Sequence, residues 1–224
     1  MTWQTTEGIV LQSIPFQSQH RILKVFTQKK GLLSFFVKNI SPNNSQLIAL
    51  TTPFSYGEWV FQKSTQDLHK IKDTTLLNSF LLLRNSLDSL NAGGSILRAV
   101  LKTQMPNKPA PALFALLLTY LQKIPDFPNP DVLATSFYLK LLLLEGLLHF
   151  THECSHCKKP ACSLAHGESV CKNHTLDPSR IFSEKDWEVL HELTYARQFS
   201  KLKSLDVSPR LFAEIEKIFQ ELVN

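Results

Sequence analysis

Two pairs of metal-type ligands constrain this chain more than any other feature. Cys154-Ser-His-Cys157 is followed, thirteen residues later, by Cys171-Lys-Asn-His174. A two-residue spacer lets the backbone turn so that both side chains of a pair reach one ion. Thiolates and neutral imidazole are the usual zinc ligands, and four of them close a tetrahedral shell. A closed shell leaves no position for water, so the pattern predicts a structural zinc site held by Cys154, Cys157, Cys171 and His174. Other assignments of the same segment remain open. Cys162 lies between the pairs, so Cys154, Cys157, Cys162 and Cys171 form a possible all-cysteine set. His152, His156 and His166 crowd the segment as substitutes. A redox Cys-x-x-Cys pair belongs beside a βαβ pattern, which is missing here, and disulfides need an oxidising compartment.

All four cysteines fall inside this segment, which fits a reducing cytoplasm. The N-terminal Met1-Thr-Trp-Gln does not read as a secretory leader, having no basic run that leads into an apolar one. The most apolar stretch, Leu139 to Phe150, carries Lys140 and Glu145 and is too short to span a bilayer. A soluble cytoplasmic protein without a membrane partner is therefore expected.

The chain of 224 residues is 43% hydrophobic and 19% charged, ample for one large domain or two smaller ones. Its formal charge of +5 is unevenly placed. Residues 1–75 carry +4, residues 76–150 carry +2 and residues 151–224 carry −1. The basic surface thus belongs mostly to the first third, a distribution compatible with a polyanionic partner.

That first third reads as strands at Glu7–Ile14, Arg21–Thr27, Leu32–Lys38, Pro53–Gln62 and Leu68–Ile71, the first ending at Pro15. Five short strands in about 75 residues suit a small barrel, most economically an OB-fold. From Thr74 the spacing turns helical, with Leu76, Leu77, Phe80, Leu81, Arg84, Leu87 and Leu90 at three- and four-residue steps. Gly93-Gly94 is expected to break that helix. Further helices are expected over Ile96–Gln104, Leu113–Gln122 and Val132–Phe150. Another starts at the Ser183 cap and runs to about Tyr195, and a last one starts at Ser208-Pro209. The fold class is therefore α+β. An OB-fold domain at 1–75 precedes a helical domain at 76–224, which carries a zinc-finger-like segment at 151–178.

Arg21, Lys24, Lys29, Lys30 and Lys38 are the candidate phosphate contacts on the barrel. Each is equally at home on a solvated charged rim. Phe35, Phe36, Tyr56, Trp59 and Phe61 are candidate base-stacking platforms, although such residues more often fill a core; Tyr56 and Trp59 are expected to be partly exposed. Arg84, Arg98 and Lys102 sit beside apolar helix residues and suit an acidic peptide tail, or simply an amphipathic face. No nucleophile elbow, phosphate loop, zinc-protease helix or dinucleotide fingerprint is present, which argues against an enzyme.

The order of parts resembles the RecO family of bacterial recombination mediators. Gly8-Ile9-Val10-Leu11 looks like its first strand, and Arg21-Ile22-Leu23-Lys24-Val25-Phe26-Thr27-Gln28-Lys29-Lys30-Gly31 like its second strand and turn. Pro53-Phe54, Leu113-Phe114 to Leu121, and Leu141 to Cys157 match further segments. The family's glycine and basic pair after the third strand are absent: here the segment is Val37-Lys38-Asn39-Ile40-Ser41. His174 stands where cysteine is commoner. The resemblance implies a non-enzymatic protein that binds single- and double-stranded DNA and promotes annealing. It implies joint action with a RecR-like protein and loading of recombinase onto strands coated by single-strand-binding protein, whose acidic C-terminal tail it binds. The rival reading is a zinc-stabilised interaction adaptor with no direct DNA role.

Overall fold

Strands form in the first third because apolar side chains alternate there with polar ones and are rich in β-branched and aromatic types. The computed structural model describes residues 3–38, 40, 45–62, 64 and 67–224. Asn39 and Ser41, within the segment after the third strand, lie outside the described residues. The chain divides into two compact units, Met1–Pro125 and Asp126–Asn224.

The first unit contains β1 (Trp3–Phe16), β2 (His20–Thr27), β3 (Gly31–Val37), α1 (Ser45–Leu50), β4 (Tyr56–Gln62) and β5 (Leu68–Asn78). The strands close into a barrel in the order β1-β2-β3-β5-β4. All neighbours are antiparallel except β3 and β5. This is the expected OB-fold barrel, with a short helix between the third and fourth strands. Strand β1 serves two partners. Its first half pairs with β4 and its second with β2, with an irregularity between Val10 and Gln12.

Inward residues fill the barrel: Val10, Leu23, Val25, Leu33, Phe35, Val37, Trp59 and Phe61, joined by Leu50 of α1. Phe35 stacks on Trp59 with ring centroids 5.3 Å apart and meets Phe61 edge-on at 5.2 Å. The Trp59 indole N–H donates to Gly8 O at 3.2 Å, so the ring is buried with its polar atom satisfied.

Several expected boundaries are corrected. Strand β1 runs through Pro15, which pairs with Arg21. Strand β5 continues past Ile71 to Asn78, where a helix was expected from Thr74. Thr74, Thr75 and Leu76 are held opposite Trp59, Glu58 and Gly57, and this ladder completes closure of the barrel. The leucine spacing from 76 to 90 therefore spans a strand end, a 3-10 turn at Leu81–Asn85 and the start of a helix. That helix, α2 (Leu87–Thr103), absorbs Gly93-Gly94 instead of breaking there. A Cβ on Gly93 would lie 3.0 Å from the Phe54 ring, so glycine is what lets the helix lie close against Phe54. The last helix of the unit is α3 (Pro111–Lys123), with proline at its first position as expected.

The second unit is built on α4 (Pro130–Leu144), buried on nearly every side. It stops before the expected Phe150, because Gly146 turns the chain out of the helix at φ 71°. Around it pack α5 (Glu184–Tyr195), α6 (Phe199–Lys203) and α7 (Pro209–Val223). Ser183 and Ser208 cap α5 and α7 through their hydroxyls, as read from the sequence. Helix α7 buries Leu211, Ile215, Ile218 and Phe219, and Phe219 stacks on Tyr138 of α4 at 4.7 Å. Among the described residues no helix is long and apolar enough to cross a membrane.

Because Phe35 touches both other large rings of the barrel, Phe35→Ala should remove about 3–5 kcal/mol of stability, measured by urea unfolding.

Candidate metal centre and nucleic-acid interface

Between α4 and α5 the chain makes tight turns and one short hairpin. The Cys154 carbonyl accepts from Lys158 N at 3.1 Å, and Cys154 N donates to Lys159 O at 2.8 Å. This folds the first ligand pair into a loop. Strands β6 (Ser163–Ala165) and β7 (Glu168–Val170) form a hairpin around His166 and Gly167, both at positive φ. The hairpin delivers Cys171, whose carbonyl accepts from both His174 N and Thr175 N, coiling the second pair back. Ser155 N donates to Ser169 O and fastens the first loop to the hairpin.

Cys154, Cys157, Cys171 and His174 consequently converge, with ligand atoms all within 4.8 Å of one another. Cys157 and Cys171 sulfurs are 3.6 Å apart, and His174 Nδ1 lies 3.4 Å from Cys154 Sγ and 3.5 Å from Cys171 Sγ. Zinc bond lengths give tetrahedral edges of about 3.8 Å between sulfurs and about 3.6 Å between sulfur and nitrogen. Three of the six separations thus match the edges of a zinc tetrahedron, and the remaining three lie within 4.8 Å, close enough for the four groups to reach one ion. All four cysteines are unbridged. Burial works against ionisation of Cys154, but backbone N–H groups of Cys171, His156 and Cys157, with the His174 ring, outweigh it and bring the thiol down to about 5. At Cys157 the Lys159 backbone favours thiolate, yet burial and the adjacent Cys171 and Cys154 sulfurs push the thiol up. A divalent cation would relieve that crowding of negative charge, and the donor set fits one.

The alternative ligands stand elsewhere. Cys162 N donates to Val170 O within the hairpin region, and its thiol is outside the cluster. His166 occupies the hairpin turn. His152 packs on His191 at 4.4 Å, with Nδ1 3.9 Å from Glu188. His156 approaches the site most nearly, its ring 5.0 Å from that of His174. Beyond the knuckle, Arg180 ties the chain to α7. Its Nη groups donate to Glu221 and its Nε lies 2.9 Å from Glu214. These bonds hold the Glu221 carboxyl below its ordinary range.

On the barrel, the five candidate phosphate contacts separate into two groups. Arg21, Lys24 and Lys38 lie toward one end of β2 and β3, where Arg21 donates to Ser13 Oγ and Lys24 to Ser34 Oγ. Lys29 and Lys30 lie in the β2–β3 turn at the other end, beside Glu7, whose carbonyl accepts from Gln28 N. Glu58 pairs with Glu7 at that same end.

The stacking candidates divide as well. Phe35, Trp59 and Phe61 are at most 1% exposed and belong to the core, which corrects the expected exposure of Trp59. The Tyr56 hydroxyl donates to Glu7, and burial together with that bond raises it to about 12. Phe36 faces outward, half-buried, with Lys38 Nζ 5.9 Å from its centroid. It meets Phe16 edge-on at 5.8 Å and His20 at 5.4 Å. Phe16 and His20 were not anticipated. Their signal was the alternation Gln12, Ile14, Phe16 on one face, hidden by the assumption that the strand ended at Pro15.

The helical cations also have defined places. Arg84 donates to Pro53 O and lies over the Phe54 ring. Arg98 borders a 340 Å³ pocket lined by Leu11, Phe54, Leu90, Leu97 and Leu101. Lys102 is exposed on the last turn of α2.

Metal analysis after reconstitution with Zn²⁺ should give one ion per chain. Cys171→Ser should abolish it and Cys162→Ser should leave it intact. Affinity should fall with decreasing pH, as protons compete for the three sulfurs and the imidazole.

Family models for Recombination protein O match both parts of the chain, the N-terminal model over residues 1–80 and the C-terminal model over residues 84–224. The DNA repair protein RecO of Chlamydia muridarum is 33% identical over 221 residues, covering 96% of this chain and 94% of the relative. RecO of Chlamydia pneumoniae is also 33% identical, over 95% of this chain and 84% of its own length. RecO of Bacillus pumilus is 26% identical over 95% of this chain and 85% of the relative. With an OB-fold barrel followed by helices and a four-ligand knuckle, the chain belongs to the RecO family of DNA repair proteins.

Proposed function

We propose that this chain is a non-catalytic cytoplasmic mediator of recombinational repair. Its barrel binds single- and double-stranded DNA, promotes annealing, and helps load a recombinase onto single strands covered by single-strand-binding protein. A RecR-like protein is its working partner. The observation that carries this reading is the outward cluster of Phe16, His20 and Phe36 with Lys24 and Lys38; Arg21, the neighbour of inward Val37, stands at the adjoining rim of the barrel. Aromatic faces take unstacked bases and the cations neutralise phosphates, the two requirements of sequence-tolerant binding. Lys29 and Lys30 would contribute a separate phosphate contact at the opposite end of the hairpin.

Zinc is the ion proposed for Cys154, Cys157, Cys171 and His174. With four protein ligands its role is to stabilise the knuckle, since no position is left for a reacting water. The acidic, apolar C-terminal tail of single-strand-binding protein is proposed for the pocket beside Arg98 and Phe54. An apolar floor with a cation at its rim suits a carboxylate-bearing apolar peptide.

Two measurements test the reading. Phe36→Ala combined with Lys38→Glu should weaken oligonucleotide binding by on the order of tenfold or more, lower the salt slope, and slow annealing of complementary strands. Binding that is absent at all salt concentrations in the unaltered protein favours a protein-interaction adaptor instead. Arg98→Glu should weaken binding of a fluorescent acidic tail peptide without changing DNA affinity.

A further inference from the structure

We infer that the nucleic-acid track does not end at β3 but continues around the barrel over β5 and β4 to a second stacking platform, Trp3, and that this extension selects unpaired strands. The inference rests on the DNA-binding reading above and adds a path and a substrate class to it.

The path follows from the strand register. Phe36 of β3 is the neighbour of Lys70 on β5, Lys70 is the neighbour of Gln62 on β4, and Gln62 is the neighbour of Trp3 on β1. Cross-strand neighbours share a face of the sheet. The alternate positions point inward, since Phe61 and His69 are each 1% exposed. Phe36, Lys70, Gln62 and Trp3 therefore form one outward row. Three interstrand steps of about 4.8 Å place Trp3 roughly 14 Å from Phe36 along the sheet.

Each end of this row pairs an aromatic ring with an ammonium group. Lys38 Nζ lies 5.9 Å from the Phe36 centroid, and Lys72 Nζ lies 5.1 Å from that of Trp3. Trp3 is 48% exposed, whereas Trp59 and Trp187 are 0% and 4% exposed. A large ring held out in water beside a lysine is a costly arrangement for packing but a useful one for a base and its phosphate.

Charge sets the direction of the track. Continuing along the outward faces of β1 and β4 away from Trp3 and Gln62, one reaches Glu7 and Glu58, which oppose each other. A polyanion following the strands would meet these carboxylates. One crossing the strands meets Lys70 and Lys72. Stacking on Trp3 and Phe36 needs bases with a free face, which a paired duplex does not offer along its length. The ligand of this row is thus the unpaired segment of a single-stranded polynucleotide, read without regard to sequence.

The test uses the full chain and an oligothymidylate of about 20 nucleotides, long enough to cover the span of one OB-fold. Titration should quench the tryptophan emission, with Trp3 as the exposed emitter. Trp3→Ala should weaken single-strand binding by on the order of tenfold and leave duplex binding within about twofold, and Trp3→Phe should restore most of the affinity. Lys72→Glu should weaken binding and reduce the salt slope by about one phosphate contact. Full single-strand affinity in Trp3→Ala, with no quenching in the unaltered protein, would end the track at β3 while leaving the DNA-binding reading intact. Equal losses on duplex and single strand would also overturn the extension, and failure of the unaltered protein to bind either form would remove both readings. Unchanged unfolding midpoints in the variants separate these outcomes from a folding defect.

Discussion

The barrel depends on how its interior is filled. Phe35, Trp59 and Phe61 occupy the space that five strands enclose, and Leu50 of α1 joins the same cluster. Large rings inside dictate that their neighbours along each strand face water, because the side-chain period of a strand is two. Burying Trp59 and Phe35 is thus what presents Glu58, Ser34 and Phe36 outward. The external chemistry of the barrel is a consequence of its internal packing, read one residue out of phase.

A different economy governs the knuckle. Between Leu144 and Glu184 the chain has short strands, turns and few apolar groups, too little to hold a fold by burial alone. Its backbone hydrogen bonds bring four metal-type side chains within 4.8 Å of one another, and the amides around Cys154 already favour a thiolate there. Arg180 then joins the end of the segment to Glu214 and Glu221 on α7. Backbone hydrogen bonds and ion pairs, with a cluster able to hold a metal ion, stand where hydrophobic contact is sparse.

Much of this was legible from the residues. Two-residue alternation located the strands, the paired Cys and His spacing selected the four converging ligands, and Ser183, Ser208 and Pro209 marked two helix starts. What escaped were features fixed by tertiary contact. The leucines from 76 to 90 fit a helical repeat, yet Thr74–Leu76 are needed as ladder partners of β4. Gly93-Gly94 looked like a break because its reason, the Phe54 ring, lies far away in sequence. Trp59 was expected to be partly exposed because alternation alone does not say which side of a strand is the interior. Pro15 looked like a strand end, and that concealed the outward Phe16. Composition pooled the lysines of the first third into one basic surface, whereas the hairpin geometry sends Lys29 and Lys30 to the end opposite Arg21 and Lys38.

That separation has a kinetic consequence. One end of the barrel presents Arg21, Lys24, Lys38, Lys70 and Lys72, an excess that Asp67 and Asp73 of the β5 region only partly offset, while at the other Glu7 and Glu58 balance Lys29 and Lys30. Such a body carries an electric dipole moment, so an approaching polyanion exerts a torque on it as well as a pull. Within a Debye length, about 10 Å at 0.1 M salt, that torque turns the cationic end toward the incoming chain before any contact forms. On the proposed DNA-binding reading, productive collisions then become a larger fraction of all encounters, an advantage that fades as ionic strength rises.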